Sequence, residues 1–291
     1  MVVSTIHETC PECGGRGWLV VPDGGAGTAR QCDCRKQNYQ FGLLAAARIP
    51  ERYQSCKISS FQIKGSAAVQ GQMLRARFLA QRYVNDFLSL RNEIGGRAGL
   101  LFMGPPGVGK THLAVSILSE IIERYAVPGR FVELNEFVGQ MKATFERSAP
   151  ETMQQVIDPV LDAPLLVVDE LGSQKQTPWL NDLLYLVVNT RYTRRLPTIF
   201  TTNYRLLEEQ EFLPARKKAQ PLKVENLDRG RDPEPPPEPK YQPKEEQKAP
   251  ELLSWRIPSM LISRLYEMAE FVSLDAVKDY RQEFRRNPGG P

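Results

Sequence analysis

The first candidate for chemistry is a glycine-rich octapeptide, Gly104-Pro105-Pro106-Gly107-Val108-Gly109-Lys110-Thr111. It matches the phosphate-binding pattern G-x-x-x-x-G-K-[ST]. Its glycines allow backbone N–H groups to turn inward around a phosphate, and a following helix adds the partial positive charge of its N-terminus. We expect Lys110 to reach the outer phosphates of ATP and the Thr111 hydroxyl to hold Mg²⁺. The alternative is a chance glycine turn before a helix.

Two adjacent acids follow a continuous apolar run. Asp169 and Glu170 come directly after Leu165–Val168, which has the composition of a buried parallel strand. Open α/β sheets bind ligands at the carboxyl ends of their strands. We therefore predict that Asp169 holds Mg²⁺ through water and that Glu170 orients and polarises the attacking water. A strand that ends in two acids can also be an ordinary solvated turn, and the phosphate-binding loop upstream disfavours that alternative.

A second group of candidate ligands is a set of four cysteines near the N-terminus, Cys10, Cys13, Cys32 and Cys34. Two close pairs of thiolates joined by a hairpin can occupy the four corners of a tetrahedron around Zn²⁺. So small a segment buries little apolar surface, so metal binding would supply its folding energy. The sequence predicts a structural zinc site. A reduced, flexible tail and an iron–sulfur cluster are the alternatives.

The elements that must position these residues alternate along the chain. Apolar runs indicate five strands, at Gly99–Met103, Gly129–Leu134, Pro164–Asp169, Pro197–Asn203 and Glu270–Leu274. Helical patterns lie between them, the most regular being the stretch after the octapeptide, His112–Ile122. This alternation predicts an α/β fold with a five-stranded parallel sheet between helices.

A long amphipathic helix is predicted to precede the first of these strands. It covers Ala67–Leu90, and its helical spacing suggests a set of core positions, Leu74, Phe78, Val84, Phe87 and Leu88.

The composition changes along the chain predict five segments. These are a zinc-binding domain at 1–36, a helical linker and start of the ATPase module at 37–98, an ATPase core at 99–207, an insertion at 208–251, and the C-terminal part of the core at 252–291. The insertion is rich in charge and proline and almost free of apolar residues. We expect it to loop out from the surface as an extended or disordered segment, either unbound or in contact with a partner.

Composition limits the classes of function. The net charge of +4 permits nucleic-acid binding without arguing for it. The first residues, Met1–Cys10, lack the basic start and apolar centre of a signal peptide, and no apolar run is long enough to cross a bilayer. We therefore expect a cytoplasmic protein with no membrane contact.

Taken together, these motifs resemble the AAA+ ATPases of the DnaC/DnaI/IstB group, which comprises bacterial replicative helicase loaders and transposition helper ATPases. The resemblance covers Ile49–Arg281 apart from the insertion. The order of four short runs carries it: GPPGVGKTHL, LVVDELG, RLPTIFTTNY and SRLYEM.

The resemblance assigns roles to residues that local sequence leaves open. It implies that Asn203 reads the γ-phosphate, whereas by itself Asn203 could equally cap a turn. It implies that Arg264 is an arginine finger for a neighbouring subunit's ATP, whereas by itself Arg264 would be a surface arginine. It also places His112 and Arg281 at the nucleotide, Arg281 as a second sensor.

The function that the resemblance implies is ATP-dependent loading of a replicative helicase onto single-stranded DNA, by a homo-oligomer that forms with ATP. ATP, Mg²⁺ and Zn²⁺ are the implied cofactors. A transposition helper that binds duplex DNA and a transposase is the rival within the same fold. A zinc-bearing adaptor that scarcely hydrolyses ATP and a metabolite kinase are rivals of other classes.

Overall fold

A computed structural model describes residues 10–21, 27–92, 97–146, 150–206 and 252–277. The insertion predicted at 208–251 and the predicted sensor Arg281 lie outside these residues. Within the described part of the chain, no helix is both long enough and apolar enough to cross a lipid bilayer.

A small N-terminal module, Cys10 to Ala46, contains a β-hairpin followed by a helix. Strands β1 (Trp18–Val21) and β2 (Thr28–Gln31) pair antiparallel, with Trp18 opposite Gln31, as predicted for a hairpin. Helix α1 (Asp33–Ala46) begins immediately after Cys32 and therefore carries Cys34 in its first turn. Helix α1 packs against the main sheet and one of its helices.

The main body is a sheet of five strands with helices on both faces, and all of its strand pairs are parallel. Its strands are β3 (Gly99–Met103), β4 (Gly129–Glu133), β5 (Leu165–Asp169), β6 (Thr198–Thr202) and β7 (Ala269–Ser273). Its helices are α2 (Ala67–Asn92), α3 (Lys110–Tyr125), α4 (Leu134–Ala143), α5 (Met153–Leu161), α6 (Pro178–Thr193) and α7 (Ser259–Met268). The strands lie in the order β4-β5-β6-β3-β7, which confirms the predicted fold class.

The central strands divide their side chains between two apolar cores. In β3, Leu100 and Phe102 pack with α2 and α3, whereas Leu101 and Met103 pack with α4 to α7. Strands β3, β5 and β6 are buried along their whole length. Continuous apolar runs are therefore required here, because both faces of the sheet are covered.

Helix α2 buries a different stripe from the one that we predicted. Leu74, Phe78 and Leu88 are exposed, so this part of the prediction is wrong, while Val84 and Phe87 are buried as expected. The buried face is completed by Met73, Ala76, Leu79, Ala80 and Tyr83. Neighbouring residues on a helix differ by about 100° in direction, so apolar residues at adjacent positions define two overlapping stripes. Packing against α3 selects the stripe that contains the small alanines.

Two described residues that are far apart in sequence, Arg205 and Leu252, lie side by side. Arg205, just after β6, pairs with Leu252 in a parallel bridge, and the Leu253 N–H donates to the Arg205 carbonyl at 2.8 Å. The described residues on either side of the predicted insertion are thus adjacent in space.

A buried arginine ties α6 to the sheet. Arg191 is fully buried, although a basic residue in a last helical turn usually serves only the helix dipole. Its guanidinium donates to the Thr198 hydroxyl at 2.8 Å and to four carbonyls, those of Val160, Leu161, Ala163 and Pro197. Burial lowers the pKa of Arg191 to about 9, so the group is still charged at neutral pH. It therefore joins the end of α5, the end of α6 and the start of β6.

Replacing Arg191 with Met should lower the free energy of unfolding by about 3–5 kcal/mol, because several buried acceptors lose their donor. Urea denaturation followed by circular dichroism measures the change. Arg194→Met is the matched control: Arg194 is exposed and pairs with Asp162 at 2.5 Å, and its loss should cost less than about 1 kcal/mol. Equal losses for the two variants would contradict the structural role of Arg191.

Candidate nucleotide-binding site

The candidate site lies where three neighbouring parallel strands end. Strand β6 pairs with β5 on one side and with β3 on the other. The acids after β5, Asn203 after β6 and the glycine-rich loop after β3 therefore meet at one edge of the sheet. Because β5 and β6 are adjacent, Asn203 lies on the strand next to the acids.

The loop between β3 and α3 has the backbone of a phosphate cradle. Gly109 has φ 95°, in the left-handed region, and immediately precedes the first residue of α3, Lys110. A Cβ atom at Gly109 would lie 2.6 Å from the Phe61 ring, so a larger residue does not fit there. The loop's N–H groups and the helix N-terminus are thus arranged as anion binding requires.

The ammonium group of Lys110 connects the loop to Asn203. Its Nζ atom donates to the carbonyls of Gly104 and Pro105 and to Asn203 Oδ1, each at 2.8 Å. The Lys110 side chain is buried, so its charge acts in surroundings with little water. Lys110 and Asn203, which are far apart in sequence, are therefore brought together.

Asp169 lies beside the Thr111 hydroxyl, as a shared Mg²⁺ site requires. Thr111 Oγ1 donates to Asp169 Oδ1 at 2.8 Å, and Thr201 Oγ1 donates to the same oxygen at 2.5 Å. Burial raises the pKa of Asp169, while the two threonine hydroxyls oppose that rise. A carboxylate and a hydroxyl are oxygen donors of the kind that Mg²⁺ prefers, so the residues present fit this ion.

Glu170 is held by two residues that sequence analysis missed. Its φ of 63° is unusual for a residue other than glycine. Its N–H donates to Thr201 Oγ1 at 3.0 Å, and Asn135 Nδ2 donates to Glu170 Oε2 at 3.3 Å. Asn135 lies at the start of α4, just after β4, and Thr201 lies near the carboxyl end of β6, so both are close to the ends of the strands that flank β5. Polar residues at these ends were the signal that could have found them.

A cavity of about 640 Å³ opens beside the loop, and its size suits a nucleotide. Its lining includes Lys110, Thr111, Glu170 and Asn203 at the sheet edge, and Arg52, Tyr53, Phe61, Met73 and Val277 further out. His112 also lines the cavity; its Nε2 atom lies 3.0 Å from the Lys57 carbonyl and its ring packs against Phe61. His112 thereby joins the loop to the outer wall of the cavity.

Arg264 does not line this cavity. It lies on α7, where its Nη2 atom donates to the Tyr185 hydroxyl of α6 at 3.2 Å. Arg281 is outside the described residues. The assignments of Arg264 and Arg281 to a nucleotide therefore stay predictions.

Replacing Thr201 with Val should weaken Mg²⁺ binding by about tenfold or more, because Asp169 loses a hydroxyl that orients it. A titration of Mg²⁺-dependent binding of a fluorescent ATP analogue measures this. Thr202→Val is the matched control, since Thr202 is also buried in β6 and donates to the Leu171 carbonyl at 2.7 Å. A similar loss of affinity in both variants would show that Thr201 acts only through stability.

The four N-terminal cysteines form one compact cluster. Their Sγ atoms all lie within 4.8 Å of one another, with Cys10 and Cys32 3.8 Å apart and Cys13 and Cys34 3.5 Å apart. Sulfurs bound at about 2.3 Å to one tetrahedral zinc lie about 3.8 Å apart, so this donor set fits Zn²⁺. Burial raises the pKa of Cys13, but a hydrogen bond from the Gly17 N–H and the neighbouring thiols lower it to about 6 overall, whereas burial and the same neighbours raise the pKa of Cys34, so Cys13 loses its proton first. A thiolate is the form that binds metal.

Replacing Cys34 with Ser should abolish metal binding, because the serine hydroxyl is a poor zinc ligand. Elemental analysis should find one zinc per chain in the purified parent protein and little zinc in the Cys34→Ser variant. Cys56→Ala is the control, since Cys56 lies outside the cluster. Iron and sulfide in the parent protein would instead identify an iron–sulfur cluster.

A family model described as IstB-like ATP binding protein matches residues 51–221, more than half of the chain. The replicative helicase loader DnaI of Bacillus subtilis (strain 168) is 31% identical over 130 residues, 44% of this chain and 40% of DnaI. The insertion sequence IS5376 putative ATP-binding protein of Geobacillus stearothermophilus is 32% identical over 123 residues, 42% of this chain and 47% of that protein.

The fold also matches a solved structure. The crystal structure of the DnaC helicase loader aligns with a TM-score of 0.52 and 24% identity, covering 77% of this chain and 98% of that chain. At this identity the match concerns the fold, and it agrees with the predicted α/β architecture with a five-stranded parallel sheet. The chain matches less than half the length of each of the two curated relatives above.

Proposed function

The chain belongs to the family of IstB-like ATP-binding proteins, which are AAA+ ATPases, and on that premise we propose that it is an ATP-dependent helicase loader. In this proposal it hydrolyses ATP at subunit interfaces and delivers a replicative helicase onto single-stranded DNA. One observation carries the proposal: Lys110 contacts Asn203, and Thr111 contacts Asp169, at a single edge of the sheet with Glu170 beside them.

Hydrolysis follows from what each of these groups supplies. Phosphoryl transfer depends mainly on positioning and on stabilising negative charge. Lys110 and the N-terminus of α3 would face the phosphates, and Thr111 and Asp169 would hold Mg²⁺, which neutralises phosphate charge when bound. Glu170 would orient the attacking water, and Asn203 would contact the γ-phosphate.

The position of Arg264 supports the homo-oligomer in this proposal. Since Arg264 lies outside its own chain's cavity, it would act on ATP bound to a neighbouring copy. Binding of ATP would then favour assembly, because the nucleotide contacts two chains.

The N-terminal module would dock on the replicative helicase. Its hairpin exposes Trp18 and Val20, which is 71% exposed, on one face. Exposed aromatic and aliphatic residues on a small rigid module are typical of a protein-binding surface. Zinc bound to the four cysteines would keep this surface of the N-terminal module folded.

An aromatic and basic cluster at the start of α6 would contact single-stranded DNA. The Lys142 ammonium lies 5.8 Å from the centre of the Trp179 ring, and Phe145 packs edge-on against that ring. Phe145 is 59% exposed. Trp179 is half-buried, and accessible rings beside a cation can stack unpaired bases and attract phosphates. Helix α4 carries Asn135 at its start and Lys142 near its end, so it connects this cluster to Glu170.

The alternative is a transposition helper, which is favoured by the similarity to the insertion-sequence protein. Such a helper would bind duplex DNA and a transposase. The cysteine module argues for the loader, since helpers resembling this group usually begin with a helical segment.

Replacing Trp179 with Ala should weaken binding of single-stranded DNA roughly tenfold, because a stacked base contributes about 1–3 kcal/mol. Fluorescence anisotropy of a labelled oligothymidylate measures this. A Glu170→Gln background with ATP keeps the nucleotide from being consumed. Trp255→Ala is the matched control, because it removes an exposed tryptophan outside the cluster.

The same measurement separates the loader from the helper. A loader should bind the single strand more tightly than a duplex of equal length. Tighter binding of the duplex, unaffected by Trp179→Ala, would favour the transposition helper.

A further inference from the structure

Two arginines, Arg191 within α6 and Arg264 on α7, have opposite surroundings. Arg191 donates hydrogen bonds to five acceptors and is fully buried. Arg264 approaches α6 from α7 and makes one hydrogen bond with a described residue, from Nη2 to the Tyr185 hydroxyl. Its Nη1 atom is buried and has no hydrogen-bond partner within the described ranges. Arg264 thus keeps most of its N–H donors unused.

Aromatic rings take the place of those partners. The Arg264 guanidinium carbon lies 4.7 Å from the centre of the Tyr185 ring and 5.9 Å from that of Tyr192. A ring face attracts a cation without neutralising its charge. Tyr185 therefore fixes the guanidinium and leaves its charge available to another ligand.

The nearest acid along α7 is occupied elsewhere. Glu267 lies one helical turn after Arg264, at a spacing that allows an ion pair. Its carboxylate instead accepts a hydrogen bond from the Tyr192 hydroxyl. None of the ion pairs found among the described residues includes Arg264. A cation without an acid, fixed beside exposed apolar side chains, fits an anionic partner group.

Apolar side chains surround this cation on the same surface. Tyr185 and Leu186 on α6 are 36% and 45% exposed, and Met260, one turn before Arg264 on α7, is 57% exposed. Aromatic residues, methionine and arginine together are typical of the centre of a protein–protein interface.

We infer that Tyr185 is a positioning residue for Arg264: its ring holds the guanidinium where the cation meets the phosphates of ATP bound to a second copy of this chain. The inference rests on the proposed function, because it takes hydrolysis at subunit interfaces as its starting point. Charge complementarity selects the occupant of this surface. The unpaired cation of one copy faces the triphosphate of the next.

Replacing Tyr185 with Ala should lower kcat for ATP hydrolysis by between about tenfold and a hundredfold, because a misplaced guanidinium stabilises the transition state poorly. The Kd for a fluorescent ATP analogue should change by less than about twofold, since the cavity of the same chain is intact. Tyr185→Phe should keep kcat within about threefold of the parent, because the ring face remains. Phe78→Ala, which removes an exposed ring elsewhere, should leave both quantities unchanged.

Mixing variants tests whether Tyr185 acts across the interface. Glu170→Gln chains have an inactive site but intact Tyr185 and Arg264. Adding them to Tyr185→Ala chains should restore hydrolysis in the latter, as it should for Arg264→Ala chains. Rescue of Arg264→Ala without rescue of Tyr185→Ala would overturn the inference and leave the proposed function standing. Rescue of neither would overturn both.

Two further variants exclude a purely structural role. The double variant Tyr185→Ala with Arg264→Ala should be no slower than Arg264→Ala alone, and a further loss would contradict positioning. Tyr185→Leu keeps an apolar side chain without a ring face, so it should lose kcat as Tyr185→Ala does while its melting temperature stays that of the parent. Full activity in Tyr185→Leu would overturn the inference even if the alanine variant failed to fold.

Discussion

The parallel pairing of β5, β6 and β3 is the constraint on which the rest of the structure depends. It places the ends of three distant segments side by side, so that Asp169, Asn203 and the glycine-rich loop share one edge. The side-chain period of a strand is two, so a slip of one residue would turn Asp169 or Thr201 to the opposite face. Both apolar cores enforce the register, because each strand is buried on both sides.

Because of this register, threonine and asparagine side chains near the strand ends reach the two acids and orient them. The hydroxyl of one residue, Thr201, contacts both the carboxylate of Asp169 and the backbone N–H of Glu170. A hydroxyl is neutral, so this contact orients the two acids without adding a further charge to a site that already contains several charged groups. Burial raises the pKa of Asp169, and the Thr201 and Thr111 hydroxyls, followed by the Lys110 ammonium, oppose that rise by favouring the carboxylate.

Arg191, within α6, and Arg264, which contacts α6 from α7, differ in burial and in hydrogen bonding. These differences distinguish an arginine with a structural role from one that is available to a ligand. Arg191 is satisfied by backbone acceptors, so it contributes to the joint between α5, α6 and β6. Arg264 is held by aromatic rings and retains donors, so it is suited to a ligand from outside the chain. Both are basic residues on helices that follow the acidic strand, and nothing in their local sequence distinguishes them.

The sequence by itself determined the strands, the phosphate-binding loop, the acid pair and the four cysteines, because each depends on local spacing that the backbone geometry makes readable. Local spacing also placed Val84 and Phe87 in the core. Only the tertiary structure decided that Leu74, Phe78 and Leu88 face solvent, that Arg191 is buried, and that Asn135 and Thr201 hold Glu170. The physical reason is that these outcomes depend on which elements pack together, and that pairing joins residues far apart in the chain.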